Sequence, residues 1–144
     1  PGEGEYNGYD LVLKEEIRYA EDGSDTLDSF HCIKEEKSHI VINPKADNDA
    51  IIGELEVLDN HYKTTEGIGV SSTIEDFIDA YEDVTIYYSY VSGRYWMENG
   101  KYANTQFEID ESAYFKQVEF DSPLTVLNIE DFNIDSHITR IRFY

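Results

Sequence analysis

The sequence predicts an α+β fold: an antiparallel β-sheet, arranged mainly as a meander, with one short helix packed on one face. Several segments alternate apolar and polar residues with the period of half-buried strands. One central segment instead repeats its apolar residues with the period of a helix. The chain has 144 residues, the size of a single domain. We expect 1–50 to be an N-terminal β segment of that domain and 51–144 a strand–helix–meander unit.

The N-terminal β segment contains strands separated by polar turns. Leu11 lies in an apolar run that favours a strand over "GYDLVLKEEIRYA". The "EDGSDTLDS" stretch that follows is predicted to be a turn or an exposed loop. "HIVIN" predicts a short β-branched strand closed by Asn43-Pro44, and "KADNDA" predicts another turn.

A clear strand signal opens the second unit, in residues 51–58. In "IIGELEVL", Leu55 and Val57 alternate with Glu54 and Glu56. Because successive side chains of a strand point to opposite faces, this pattern indicates a half-buried strand with its acids turned to water.

The helix is predicted to run from Thr73 to Tyr81. Ser72 precedes it and Glu75 follows three residues later, which is the spacing of a capping box. The apolar residues fall at i, i+3, i+4 and i+7: Ile74, Phe77, Ile78 and Tyr81.

The glycine-containing loop before the helix invites comparison with a phosphate-binding loop. Gly67 and Gly69 lack the spacing of a dinucleotide motif, and no Gly-Lys-Ser/Thr sequence follows them. Glu75, Asp76 and Asp79 would also repel a phosphate at this helix N-terminus. We therefore expect a structural turn here and no nucleotide site.

The meander follows the helix, and its turns set which side chains share a face. A two-residue turn at Ser92-Gly93 would place Tyr90 opposite Tyr95. A three-residue loop of Glu98, Asn99 and Gly100 then keeps polar residues off the core face. The core face predicted in this way contains Val84, Ile86, Tyr88, Tyr90, Tyr95, Met97, Ala103, Thr105, Phe107 and Ile109.

The opposite face of the meander is the predicted partner-binding site. It should carry Tyr87, Arg94, Trp96 and Tyr102, with Trp96 across from Tyr102. Aromatic residues beside arginine are typical of binding hot spots, because they bury a large area at low entropic cost. An equally weighted alternative is that the N-terminal half covers these residues as ordinary core. A final strand from about His137 to Tyr144 should dock in the sheet.

Composition restricts the possible partners. Eleven basic and 31 acidic residues give a formal net charge of −20, which repels nucleic acids and anionic membranes. The charge provides solubility, and it would also attract a basic protein. No apolar run has the length of a transmembrane helix.

No group of residues forms a catalytic or metal-binding signature. Cys32 is the single cysteine and is predicted to be structural. The histidines lack metal-ligand spacing, and Asp47 and Asp49 do not match a calcium loop. We expect no enzymatic activity, no cofactor and no built metal site.

Residues 51–144 resemble small exported proteins and lipoproteins of the Bacteroides group. The likeness lies in "IIGELEVLDNHYKTTEGIGVSSTIEDFIDAY", the aromatic strands and the final "ITRIRFY". A more distant similarity is to the helix-plus-sheet unit of β-lactamase-inhibitor-protein-like folds and of outer-membrane assembly lipoproteins. This chain has Ser71 where many such sequences have glycine.

The resemblance implies a non-catalytic envelope or secreted binding domain. In it, Gly67, Gly69, Ser72 and Thr73 would have architectural roles. A narrower expectation is an inhibitor or immunity protein that neutralises an enzyme or toxin; without a leader, such a protein would be cytoplasmic. The alternative is an envelope or secreted lipoprotein that binds a ligand or carbohydrate.

Overall fold

The computed structural model of the chain describes residues 4–6, 8–20, 23–45, 48–117 and 122–144. The strands of the first half are β1 (Gly4–Tyr6), β2 (Tyr9–Ala20), β3 (Gly23–Lys34), β4 (Lys37–Lys45) and β5 (Asn48–Val57). Helix α1 (Ile74–Ala80) follows. The remaining strands are β6 (Thr85–Ser89), β7 (Arg94–Glu98), β8 (Thr105–Ile109), β9 (Leu124–Leu127) and β10 (Ile138–Phe143). Short 3-10 helices cover Glu111–Ala113 and Ile129–Asp131.

These ten strands form one continuous sheet in the order β1-β2-β3-β4-β5-β10-β8-β7-β6-β9. Every pairing in it is antiparallel. The C-terminal strand β10 docks between β5 and β8, as the apolar residues at the chain end predicted. It joins the N-terminal strands to the meander, so the two predicted units share one sheet.

The predicted α+β class is wrong, because β structure dominates the fold. In the part of the chain that the structure describes, the only α-helix has seven residues, while the strands form a ten-stranded sheet. None of the helices in the described ranges combines the length and apolarity that crossing a membrane requires.

The N-terminal hairpins are longer than the sequence suggested. The predicted turn "EDGSDTLDS" is instead largely strand, since β3 begins at Gly23 and pairs with β2 along its whole length. Residues 21 and 22 of that stretch lie outside the described residues. The ladder to β2 satisfies the backbone of this polar segment and outweighs its local preference for a turn. Strand β4 likewise continues to Lys45, and β5 begins at Asn48.

Both turns of the meander differ from the prediction, although its three strands are present. Tyr88, not Tyr90, pairs with Tyr95, so the β6–β7 loop is four residues long. Met97 pairs with Phe107, and the β7–β8 connection has six residues between Glu98 and Thr105. The paired residues still lie on the face that was predicted for the core. The strand register differs from the predicted one by an even number of residues, and such a shift leaves each side chain on the same face.

The helix is capped one residue later than predicted. Thr73 is the N-cap: its Oγ1 accepts from the Asp76 amide at 3.0 Å, and Asp76 Oδ2 accepts from the Thr73 amide at 2.8 Å. Ser72 instead accepts a hydrogen bond from the Gly69 amide at 3.1 Å. The predicted Ser72–Glu75 box is thus replaced by Thr73–Asp76, and these hydrogen bonds lower the pKa of Asp76.

Replacing Thr73 with alanine is expected to lower the free energy of unfolding by about 1 kcal/mol, because the Asp76 amide loses its acceptor. Glu75→Ala, at the predicted box position, should change it by less than about 0.5 kcal/mol. Urea unfolding followed by circular dichroism measures both variants. A larger cost for Glu75→Ala than for Thr73→Ala would contradict this cap.

The turn before the cap contains an uncommon backbone conformation. Ser71 has φ 73°, in the left-handed region that glycine adopts most easily. The turn is therefore formed with serine, and the Ser71 amide donates to the Ile138 carbonyl at 2.8 Å.

Candidate functional site: the apolar face of the N-terminal strands

The predicted partner-binding residues do not form one surface. Trp96 pairs with Tyr87 on one side and with Glu108 on the other, which places it on the polar face of the sheet. Arg94 shares that face, whereas Tyr102 lies in the β7–β8 loop and bonds to Thr65 and Glu66. The predicted opposition of Trp96 and Tyr102 is therefore wrong.

The polar face carries an ionic network instead of an exposed aromatic patch. Arg94 Nη1 lies 2.5 Å from Glu108 Oε1, and Arg140 Nε lies 3.2 Å from Glu108 Oε2. Arg140 also pairs with Glu56, on the neighbouring strand β5. Both carboxylates are buried, with Glu108 at 7% and Glu56 at 8% exposure. This network contacts β5, β7, β8 and β10, so it stabilises the centre of the sheet.

Trp96 and Tyr87 are part of this buried layer. Trp96 is 1% exposed, and the Arg142 guanidinium lies 4.1 Å from its ring centroid. The Tyr87 hydroxyl donates to Glu98 Oε1 at 2.8 Å, and burial together with this carboxylate raises the pKa of Tyr87. Neither ring is available to a partner in this conformation. The alternative of ordinary core describes their burial better, with Arg142 lying over the Trp96 ring.

Tyr102 belongs to a second polar cluster around Glu66. Glu66 Oε2 accepts from the Tyr102 hydroxyl at 2.8 Å and from the Tyr81 hydroxyl at 3.2 Å. Lys101 forms an ion pair with the same carboxylate, and this contact lowers the pKa of Glu66. The cluster ties the β7–β8 loop to the loop that precedes α1.

The other face of the sheet is apolar across its centre. One cross-strand row runs from β2 to β10 through directly paired residues: Leu13, Phe30, Ile42, Leu55 and Phe143. A second row lies beside it: Leu11, Cys32, Ile40, Val57 and Ile141. We call these two rows the apolar face.

The second row of the apolar face is covered at its β10 end. Beyond Ile141 it continues into Phe107 and Met97, which are fully buried beside Ile74 and Phe77 of α1. The first row is exposed at both of its ends, with Leu13 on β2 at 39% and Phe143 on β10 at 41%. Leu11, Phe30, Cys32, Ile40, Ile42 and Leu55 are half-buried. A row of packed core residues thus extends onto accessible surface.

An acidic pair borders the apolar face. Glu15 and Asp28 are directly opposite each other on β2 and β3, one step along the same face from Leu13 and Phe30, and both are exposed. Like charges placed directly across an antiparallel pair are destabilising. A cation bound at this border would relieve that repulsion.

A cavity of about 310 Å³ lies at the covered end of the apolar face. Val57, Ile141 and Phe143 of the two rows form part of its wall, together with Tyr62, Tyr102 and Thr105. Tyr62 stands in the loop from β5 to α1 and is 41% exposed. A Cβ added at Gly69 would lie 2.6 Å from the Tyr62 carbonyl oxygen, so glycine allows this loop to fold tightly.

The base of the same loop holds a histidine–aspartate cluster. Asp59 Oδ1 accepts from the His61 amide at 2.7 Å, and both the His61 and His39 rings contact the carboxylate. Burial by itself would raise the pKa of Asp59, but these hydrogen bonds outweigh it and lower the pKa to about 2. In the described ranges, no three His, Cys, Asp or Glu side chains are placed to hold a metal ion.

The lowered pKa of Asp59 predicts acid sensitivity. An aspartate titrates near 3.9 when unfolded, so this contribution is complete above about pH 5 and is lost as the pH falls through 4 toward 2. Asp59→Asn should show a smaller drop in melting temperature between pH 4 and pH 2 than the wild type. The exposed helix residue Asp79→Asn is the control. Parallel curves for wild type and Asp59→Asn would contradict the assignment.

Sequence reasoning missed the apolar face, although its signals were present. The segments "GYDLVL", "HIVIN" and "IIGELEVL" each predict a strand, but no one of them shows that their apolar residues form a single surface. Cys32, predicted to be structural, is half-buried within the second row, where burial raises the pKa of its thiol.

Comparisons with known proteins bear on the fold of this chain and give no information on its function. No family model matches the chain, and no curated protein matches its sequence. A solved structure, the uncharacterized protein yfeY from Escherichia coli, is similar with a TM-score of 0.56 and 14% sequence identity. The match covers 93% of this chain and 79% of that one. The likeness shows that the two proteins share a fold.

Proposed function

We propose that this domain is a non-catalytic binding protein that recognises a basic protein partner through its apolar face. The observation that carries the proposal is the row Leu13, Phe30, Ile42, Leu55 and Phe143, in register on adjacent strands and partly accessible. With strands about 4.8 Å apart, the row is roughly 19 Å long. A contiguous apolar surface of this kind is typical of an interaction site.

The charge of the chain supports a basic partner. The formal net charge of −20 would steer a positively charged protein toward the domain and raise the association rate at low salt. The exposed Glu15 and Asp28 would then meet cations at the border of the apolar contact. Affinity would come mainly from desolvating the apolar face, and charge would contribute speed and selectivity.

Within this class, a narrower proposal is an inhibitor or immunity protein that neutralises an enzyme or toxin. Its support is compositional: a small, acidic chain with twelve tyrosines. An envelope or secreted location is proposed with it, on the resemblance to exported proteins. A cytoplasmic location would accompany the immunity role.

The test is co-expression of the tagged chain with the product of the neighbouring gene, followed by co-purification and mass spectrometry. Leu13→Ser with Phe30→Ser removes apolar surface without changing the charge, and should reduce the bound partner at least tenfold. The matched control is Leu124→Ser with Val126→Ser, at exposed positions on edge strand β9. Circular dichroism verifies that both variants fold. An equal loss of bound partner in the two double variants would contradict the proposal. So would an acidic partner protein.

A second candidate is binding of a ligand or carbohydrate. It is favoured by the aromatic side chains Tyr62 and Phe143, which are 41% exposed beside the 310 Å³ cavity. Aromatic rings of this kind can stack on a sugar. Screening a glycan panel by thermal shift tests it, and a melting-temperature rise that Tyr62→Ala abolishes would favour carbohydrate over protein binding.

A further inference from the structure

We propose that the cavity beside Tyr62 receives one large apolar side chain of the partner, and that basic residues about six positions away in the same extended segment meet Glu15 and Asp28. This inference rests on the proposed function and specifies what the partner presents. It assigns the cavity, the apolar face and the acidic pair to one binding site for an extended peptide segment.

The size of the cavity fits a single side chain. A cavity of about 150 Å³ holds a benzene molecule. At about 310 Å³, this one has room for an indole or phenol ring with its methylene, but not for a folded element. It opens beside the first row of the apolar face, since Phe143 belongs to both. A segment lying on that row can therefore insert one residue here.

The lining favours an apolar group over a sugar. Val57 and Ile141 provide aliphatic surface from the sheet. Three hydroxyls of the lining already have partners: Thr64 Oγ1 lies 2.6 Å from the Tyr81 hydroxyl, and Thr65 Oγ1 lies 3.0 Å from the Tyr102 hydroxyl. A sugar would have to break these hydrogen bonds to use the hydroxyls, whereas an aromatic side chain would leave them intact.

The geometry of the sheet sets the spacing in the partner. From Phe143 to Leu13 the first row crosses from β10 to β2 through β5, β4 and β3. Four strand spacings of about 4.8 Å give roughly 19 Å, which an extended peptide covers in about six residues. The exposed carboxylates of Glu15 and Asp28 lie beside that end, one step along β2 and β3 from Leu13 and Phe30. Lysine or arginine at that distance from the anchor would complement them and relieve their repulsion.

The test uses synthetic peptides and NMR of the ¹⁵N-labelled chain. The probe is acetyl-Trp-Ser-Thr-Ser-Thr-Ser-Lys-Lys-amide, compared with peptides in which glycine replaces tryptophan or glutamate replaces both lysines. The tryptophan peptide should shift the amides of Thr64, Thr65, Tyr102 and Ile141. Loss of the anchor should weaken binding at least tenfold, because a buried aromatic side chain is withdrawn. The glutamate peptide should bind several-fold more weakly at low salt, and this difference should shrink at high salt.

Three protein variants locate the anchor and the basic residues of the peptide. Tyr62→Ala opens the wall of the cavity and should remove the preference for tryptophan over glycine. Tyr90→Ala is the matched control, a tyrosine that is 61% exposed in the distant β6–β7 loop. Glu15→Gln with Asp28→Asn should remove the preference for lysine over glutamate. Equal binding of the tryptophan and glycine peptides, or shifts confined to residues outside the cavity, would overturn the proposal.

Its failure can be told apart from failure of the proposed function. If the basic partner is lost with Leu13→Ser and Phe30→Ser while the tryptophan and glycine peptides bind alike, the apolar face binds protein without this anchor. If maltohexaose shifts the same four amides and the tryptophan peptide does not, the cavity takes carbohydrate and the anchor proposal is wrong. A tryptophan preference that Tyr62→Ala removes is the supporting result.

Discussion

Replacing Phe77 with alanine is expected to lower the free energy of unfolding by about 3–5 kcal/mol, the usual cost of deleting a buried phenylalanine ring. Phe77 is completely buried in helix α1. Its ring centroid lies 4.7 Å from that of Phe107 and 4.8 Å from that of Tyr81, in edge-to-face contacts. Alanine would leave a cavity between the helix and strand β8, because the sheet is too constrained by its ladders to collapse into it.

Urea unfolding measured by circular dichroism tests this cost. Phe77→Leu keeps most of the volume and should lose only about 1–2 kcal/mol, so it reports on packing if the alanine variant does not fold. Asp79→Ala, on the exposed side of the same helix, should change stability by less than about 0.5 kcal/mol. A similar small loss for Phe77→Ala would mean that the helix contributes little to the core.

The parts of the fold that sequence predicted well depend on local periodicity. Ile74 and Phe77 were assigned to the buried side of the helix from their spacing, and both are fully buried. The faces of β6, β7 and β8 were also correct, because the two-residue period of a strand does not depend on loop length. The loops themselves were not predictable in this way. Asn99 Oδ1 accepts from the amides of Lys101 and Tyr102, and these side-chain contacts stabilise a longer loop.

The errors came from interactions between residues far apart in sequence. Polar residues from Gly23 to Asp28 have a local preference for a turn, but pairing with β2 holds them in a strand. That long hairpin makes the sheet much larger than expected and changes the fold class. The N-cap was missed by one residue, because Ser72 and Thr73 both precede the helix and both have a carboxylate three residues later.

The candidate site was predictable only in part, for the same reason. Tyr87, Arg94 and Trp96 do share a face, as strand alternation required. Trp96 and Tyr87 are buried on that face, and the Arg142 guanidinium that lies over the Trp96 ring arrives on β10 from the end of the chain. The apolar face likewise needs β10 paired to β5, so no single segment displays it. The prediction therefore placed the binding site on the face of the sheet where Tyr87 and Trp96 are buried. The accessible apolar surface lies on the other face.

Replacing Arg140 with leucine is expected to lower the free energy of unfolding by about 3 kcal/mol, because it leaves buried carboxylates without a cation. Arg140 pairs with Glu56 and lies 3.2 Å from Glu108. Glu108 keeps Arg94, and Glu56 keeps a hydrogen bond from Asn43 Nδ2 at 3.2 Å, which places the cost at the lower end of the range for broken buried pairs. Lys116→Leu removes an exposed ion pair with Asp131 and should cost less than about 1 kcal/mol.

A double-mutant cycle separates charge from packing in this network. If the cost of Arg140→Leu arises from the uncompensated Glu56 carboxylate, then adding Glu56→Leu should recover part of the lost stability, since two apolar side chains can replace a buried pair at little cost. Additive losses in the double variant would instead show that Arg140 contributes through the contacts of its aliphatic stem. The cycle therefore tests whether paired charges stabilise the polar face of the sheet, the same face on which Trp96 and Tyr87 are buried.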